Sequence, residues 1–281
     1  MADDKRTQAV LLLVATAVLW SLGGVLIKWI SLPPLAVAGF RSAIALPVLL
    51  IFFKRQAVNF SAAQLIGGAC YAATVILFVY ATKLTAAGNA ILLQYTAPVY
   101  VALFSGWLLN EKIRWFDWIA IVSVLCGMLM FFMDQLSSGE MTGNILAIIS
   151  GFTFASLVIS MRKQKDASPA GSAILGNLLT AFICLPGMVN IWPGATDWGF
   201  LILLGVFQLG LSYICYTVAI KKVTAMEGIL IPMLEPILNP LWTFIFLAER
   251  LGLWALLGGF LVILSILFRS VMTSLKSQSP G

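Results

Sequence analysis

The chain has 281 residues; 61% are hydrophobic, 10% are charged and the net charge is +6. A soluble domain carries about 25% charged residues, so this composition does not cover a water-facing surface, and the chain reads as an integral membrane protein. One crossing helix takes roughly 20 apolar residues, so ten of them use about 200, which leaves short loops and no soluble domain within these bounds.

In chain order, Lys5-Arg6 and the apolar run behind them mimic a secretory signal. The run is longer than a signal core and is read as an uncleaved first span, 9–30. "SLPP" (31–34) makes the first turn. Further apolar runs predict spans over 35–53, 62–82, 87–109 and 115–133. "DQLSSGEMTG" (134–143) is the polar connection, and five more spans follow at 143–161, 170–190, 197–220, 227–248 and 252–272. The expected organisation is a first five-helix unit at 1–133, a linker at 134–142 and a second unit at 143–272. Trp115, Trp118, Trp192, Trp198 and Trp254 fall at span ends and read as an interface belt. Glycine pairs at 23–24, 67–68 and 258–259 suit close helix packing.

Several classes of chemistry find no residues. The chain has no His, the commonest metal ligand and general base. Cys70, Cys126, Cys184 and Cys215 all lie in apolar segments without metal-ligand spacing. No H-E-x-x-H, no nucleophile–base pair and no G-x-x-x-x-G-K-[ST] occurs. Neither an enzyme nor a metal or cofactor is expected.

Of the 17 Lys and Arg residues, thirteen fall on one side of the predicted spans, three (Lys28, Lys83, Arg250) on the other, and Arg41 inside a span. The positive-inside rule then makes both termini cytoplasmic. It also explains the basic charge without a nucleic-acid partner.

An internal repeat is visible. At a shift of 138, "APVYVALFSGWLLNEK" (97–112) meets "EPILNPLWTFIFLAER" (235–250), so Pro98 falls on Pro236, Glu111 on Glu249 and Lys112 on Arg250. At a shift of 134, Trp20 falls on Phe154 and Lys28 on Arg162. Five spans per half is an odd number, so the halves insert with opposite topology. The expected fold is all-α, ten transmembrane helices in a 5+5 inverted repeat, a signature of secondary transporters.

"TAPVYVALFSGWLLNEK" and "LEPILNPLWTFIFLAER" resemble the paired Pro-to-Glu signatures of the drug/metabolite transporter superfamily, in its ten-span EamA-type exporter branch. "LWSLGGVLIK" (19–28) is similar to that family's first-span Trp motif and "FRSAIALPVLL" (40–50) to its second-span Arg motif. The resemblance implies a central cavity between the halves, peripheral spans 5 and 10, and export. The expected setting is a plasma (bacterial inner) membrane with a multi-pass chain.

The candidate site residues are the polar groups in these spans. Glu235 lies about 11 Å inside span 9 at 1.5 Å per residue, and a charge at that depth is a functional candidate by default. Its options are to bind a cationic amine, exchange a proton or pair with Arg41, which lies about 9 Å inside span 2 and has the geometry to clamp a carboxylate. Pro232, Pro236 and Pro240 each remove an amide donor and free the carbonyl four residues back; Pro98 repeats the helix bend once in the first half. Broken helices at matching places in two halves point to a binding site. Trp20, Ser21, Tyr71, Asn89, Gln94, Tyr95, Tyr213, Tyr216 and Asn239 are candidate cavity residues, the aromatic ones through cation–π faces.

The leading reading is a secondary transporter, an exporter of a small metabolite such as an amino acid or related amine, working by alternating access with protons as the candidate coupling ion. The partners are that solute and the lipid bilayer. A choline-like or aromatic-cation transporter and a flippase of a lipid-linked headgroup are the alternatives. Oligomeric state is left open.

Overall fold

The computed structural model describes residues 2–54, 57–133, 141–189, 191–238 and 252–278, and these residues contain helices and turns but no strands. Asn239, Pro240, Glu249 and Arg250 lie outside the described residues. Eight helices among them are long and apolar enough to cross a membrane, and Trp115–Phe131 is a shorter apolar helix.

The elements follow local rules. The first predicted span is two helices, α1 (Ala2–Trp20) and α2 (Gly23–Trp29), parted at Ser21 and Leu22. Helix α1 starts ahead of the apolar run because its polar first turns continue the helix. Pro34 opens α3 (Pro34–Phe53), where its missing N–H costs nothing. Ser61 accepts from Gln64 N and caps α4 (Ala62–Leu84). The fourth predicted span is again two pieces, α5 (Ala87–Gln94) and α6 (Ala97–Leu109). Helix α7 (Trp115–Phe132) begins where Asp117 Oδ2 accepts from Arg114 N.

The second half repeats the scheme. It runs through α8 (Met141–Lys163) and α9 (Pro169–Met188), which has proline in its first turn. The next apolar stretch, Ala195–Ala219, holds α10 (Ala195–Leu203), a π-helical segment (Leu204–Leu211) and α11 (Ser212–Ala219). Thr224 and Glu227 form a reciprocal capping box at the start of α12 (Ala225–Leu230). A 3-10 turn covers Ile231–Leu234, helix resumes at Glu235, and α13 is Leu253–Gln278.

The helix breaks obey the repeat. The chain breaks at Tyr95–Thr96 and restarts at Ala97-Pro98; it tightens at Ile231–Leu234 and restarts at Glu235-Pro236. These positions coincide at the shift of 138. The paired proline sits in the first turn of the restarted helix in both halves, where proline is tolerated. The shared bend is thus built by the same residue at the same place.

Helix pairing is two-fold symmetric. Helix α3 packs on its counterpart α9, and α7 packs on its counterpart α13. Helix α4 packs on α8, and symmetrically α1 packs on α11. The α7–α13 pair is peripheral, as the family resemblance implied: Trp118, Val122, Leu256 and Phe260 are all exposed. It closes through Gly127 and Gly258, for a Cβ on Gly127 would lie 2.8 Å from Gly258 O. Gly68 on α4 likewise admits α9, with Leu175 Cβ 3.0 Å from where its own Cβ would be.

Basic residues close both ends. Arg162 Nη1 donates 3.0 Å to the Ile220 carbonyl at the end of α11, and its repeat mate Lys28 donates 2.9 Å to the Thr85 carbonyl at the end of α4. A cation satisfies the last carbonyls of a helix and the negative end of its dipole. Ion pairs gather at the Arg162 end. Arg269 on α13 meets Asp117 on α7 at 2.8 Å, Arg6 meets Glu227 at 2.6 Å, and Glu111 accepts from Arg162 Nε at 2.6 Å and from Ala225 N at 2.8 Å. Glu111 is therefore structural, tying the end of α6 to the start of α12.

Candidate substrate cavity

The two breaks and the π-helical segment face one another around a central cavity. Its walls come from α1 (Trp20), α3 (Arg41), α4 (Thr74, Val75, Phe78), the α5–α6 break (Gln94, Tyr95), α8 (Phe154), the π segment (Gln208, Leu209), α11 (Tyr213) and the restarted helix (Glu235). The space is about 50 Å³. One water requires ~10–15 Å³ and a metabolite pocket ~300 Å³ or more, so this conformation has room for a few waters and must widen to admit a solute.

Trp20 and Phe154, repeat mates in the sequence, meet edge-on at 5.6 Å. They sit where the two halves touch, and their contact centres an aromatic cluster. Trp20 also packs against Tyr213 at 5.4 Å and stacks on Tyr216 at 5.5 Å; Tyr71 packs against Tyr213 at 4.7 Å. Trp20 Nε1 donates 2.9 Å to Ser212 Oγ, which fixes the indole.

Two charged groups share this cavity. Arg41 is 1% exposed, with Nη1 donating to Gln208 Oε1 and Nη2 to Val75 O, both at 3.3 Å. Its Nε has no hydrogen-bond partner among the described residues. Glu235 is 8% exposed and accepts from Tyr95 Oη at 2.5 Å. Neither belongs to an ion pair among the described residues. The direct Arg41–Glu235 tie, one of the readings the sequence allowed, is not formed there.

Pro236 frees the carbonyl of Pro232, and a lipid-buried carbonyl needs a donor. It has two: Glu235 N within the 3-10 turn and Tyr95 Oη at 3.3 Å. Gln94 reaches in from the same break, with Nε2 donating 2.7 Å to Ser150 Oγ.

Trp20, Arg41, Gln94, Tyr95, Tyr213 and Glu235 therefore converge on the cavity. Tyr71 and Tyr216 stand behind that wall, Tyr71 accepting from Asn177 Nδ2 at 2.8 Å. Two expected residues are elsewhere. Ser21 Oγ donates 2.6 Å to Val18 O and serves the α1–α2 break, and the Asn89 amide turns to Thr85 Oγ1 at 3.3 Å. Thr74, Phe154 and Gln208 line the cavity without having been singled out as site residues. Gln208, an amide in the middle of "GVFQLGL", carried a legible signal, since a polar side chain at mid-span is a site candidate.

The EamA-like transporter family model matches residues 7–133 and 141–271. The chain belongs to the EamA-like transporter family. It is thereby a member of the drug/metabolite transporter superfamily and a multi-pass membrane protein. Among its relatives, the threonine/homoserine exporter RhtA of Salmonella typhimurium (strain LT2) is 29% identical over 225 residues, covering 76% of this chain and 74% of the relative. RhtA of Escherichia coli (strain K12) matches at the same identity and coverage. The pseudopaline exporter CntI of Pseudomonas aeruginosa (strain PAO1) is 25% identical over 276 residues, covering 94% and 96%. A protein crystal structure matches the fold with a TM-score of 0.82 at 16% identity, covering 95% of this chain and 98% of that one.

Proposed function

We propose that this EamA-like protein exports a small zwitterionic metabolite, an amino acid or related amine, by alternating access across a bacterial inner membrane. The observation that carries the reading is the pair of opposite charges, Arg41 and Glu235, on the wall of one cavity without an ion pair among the described residues. A carboxylate suits the guanidinium, an ammonium suits Glu235 and the Trp20 and Tyr213 faces, and a zwitterion satisfies both. The names of the relatives, exporters of threonine and homoserine and of pseudopaline, agree in kind. Ten crossings remain the expected count; an even number keeps both termini on one side, and the Lys and Arg bias of the sequence favours the cytoplasmic one. Glu235 is the proposed proton site, with Tyr95 as its partner.

The aromatic cluster around Trp20 favours one second reading, a transporter of aromatic or quaternary cations. Counterflow of a metabolite panel in proteoliposomes separates them. A zwitterion exporter loses transport on both Arg41→Ala and Glu235→Ala. A cation transporter loses it only on the latter. Flux indifferent to both substitutions overturns the proposed site.

A further inference from the structure

Arg41 is held in an unusual way. Its guanidinium is buried, yet both hydrogen bonds it makes go to neutral carbonyl oxygens, Gln208 Oε1 and Val75 O, at 3.3 Å each. Charge-assisted bonds of a guanidinium to a carboxylate are shorter, about 2.7–2.9 Å. Its Nε is buried without a hydrogen-bond partner among the described residues. A buried cation left without a counter-ion is unfavourable until an anion arrives.

The residue that orients it is set by a departure from regular helix. The counterpart of Ala195–Ala219 in the first half, α4, is continuous over 23 residues, whereas Ala195–Ala219 has 25 and widens into a π-helical segment at Leu204–Leu211. Such segments occur frequently at functional sites. Here the segment turns Gln208 toward α3 and α2. Its backbone carbonyl is pinned by the Ser212 hydroxyl, which in turn accepts from Trp20 Nε1. Its side-chain nitrogen lies against Gly23, where a Cβ would stand 3.0 Å from Nε2. The amide is thus wedged with its oxygen toward Arg41.

Building on the zwitterion reading above, we infer that Gln208 is a positioning and specificity residue: it aims Arg41 into the cavity without neutralising it, so that the transported solute must carry a carboxylate. A carboxylate at this position would occupy the guanidinium and close the receptor. A glutamine of the same shape orients it and leaves its charge for the substrate.

The test is counterflow in proteoliposomes with neutral L-amino acids and the matching amino-acid amides, which differ only in the carboxylate. The wild-type protein prefers acid over amide by about tenfold in KM, because a charge-assisted bond to the guanidinium is roughly twice as strong as a neutral one. Gln208→Glu abolishes this preference by raising KM for the acids about tenfold while leaving the amides within about threefold; Arg41→Ala does the same. Gln208→Met keeps the length of the side chain without the amide oxygen and lowers the preference part-way, which covers a Gln208→Glu protein that does not fold. A merely structural role for Gln208 would lower rates for acids and amides alike. The inference is overturned if Arg41→Ala loses the preference while both Gln208 variants retain it. If the wild-type protein shows no acid-over-amide preference, the carboxylate reading of Arg41 fails as well, and the two failures are told apart by that control.

Discussion

Tyr95 reaches from the helix break of one half to the carboxylate at the helix break of the other, its hydroxyl 2.5 Å from Glu235 Oε2 and 3.3 Å from the Pro232 carbonyl that Pro236 sets free. A phenol has one hydrogen and here two acceptors. With Glu235 ionised, the hydrogen goes to the carboxylate. With Glu235 protonated, the acid donates to the phenol oxygen and the phenol hydrogen turns to Pro232 O. The proton state of Glu235 is thereby linked to the bonding of the kink itself, across the boundary between halves. Arg41 and Tyr213 are the other titratable side chains on the same cavity wall.

Glu235→Gln fixes one of these two arrangements. The glutamine amide donates to the phenol oxygen as the protonated acid does, and it carries no proton to exchange. Counterflow, which needs no net proton movement, should persist at saturating substrate with KM raised about tenfold, because the substrate ammonium exchanges a charged partner for a neutral one and bonds to charged groups are worth roughly 1.5–3 kcal/mol. Accumulation driven by a pH gradient should vanish. A Glu235→Gln protein that still concentrates substrate against a gradient removes Glu235 from coupling.

Tyr95→Phe takes away the relay and keeps the ring. The Pro232 carbonyl loses a donor and the Glu235 carboxylate loses its hydrogen-bond partner among the described residues, a deficit on the order of 1–3 kcal/mol for buried groups left unsatisfied. The expected result is a lower thermal midpoint and a fall in counterflow rate that Glu235→Gln does not show. The double variant should be no slower than Tyr95→Phe alone, since both act through one bond. Additive losses would separate the two residues.

The sequence made some of this visible and hid the rest for physical reasons. Pro98 and Pro236 were legible because proline acts on its own backbone, and the same bend appears wherever the repeat places it. Arg41 and Glu235 were legible because charges inside spans are costly and few. The orientation of Asn89 and Ser21 was not legible. A membrane helix is apolar toward lipid and toward protein alike, so hydrophobic periodicity does not tell which face a lone polar residue takes. The π-helical segment left no trace either, because "LGVFQLGL" has the composition of any span. Only the geometry shows that the extra length of Ala195–Ala219 is absorbed there, beside Arg41.

Arg269 and Asp117 join α13 to α7 at 2.8 Å with side chains 6% and 4% exposed. Breaking such a buried pair by removing one partner leaves an uncompensated charge, at about 3–5 kcal/mol. Arg269→Met should lower thermal stability by that scale. Asp117→Asn combined with Arg269→Met should recover most of it, because no lone charge remains and Asn still accepts from Arg114 N. A full double-mutant cycle in detergent measures the coupling. A double variant as unstable as Arg269→Met would show that packing of the long side chain, not its charge, holds this end.

Gly127 and Gly258 offer the separation of stability from transport. A Cβ on Gly258 would stand 2.5 Å from Phe131 N, and one on Gly127 2.8 Å from Gly258 O and from Val262 Cγ2. The neighbours on these paths are largely backbone, so α7 and α13 must move apart to admit any side chain. Gly127→Leu should therefore destabilise the protein by about 1–3 kcal/mol, the usual scale of overpacking. Among the described residues, the α7–α13 pair contributes none to the cavity wall. In variant protein reconstituted below its melting temperature, KM for the transported solute should stay within about twofold, as for sites with no shared partners. A change in KM as large as the change in stability would mean that the peripheral pair moves with the cavity and belongs to the transport cycle.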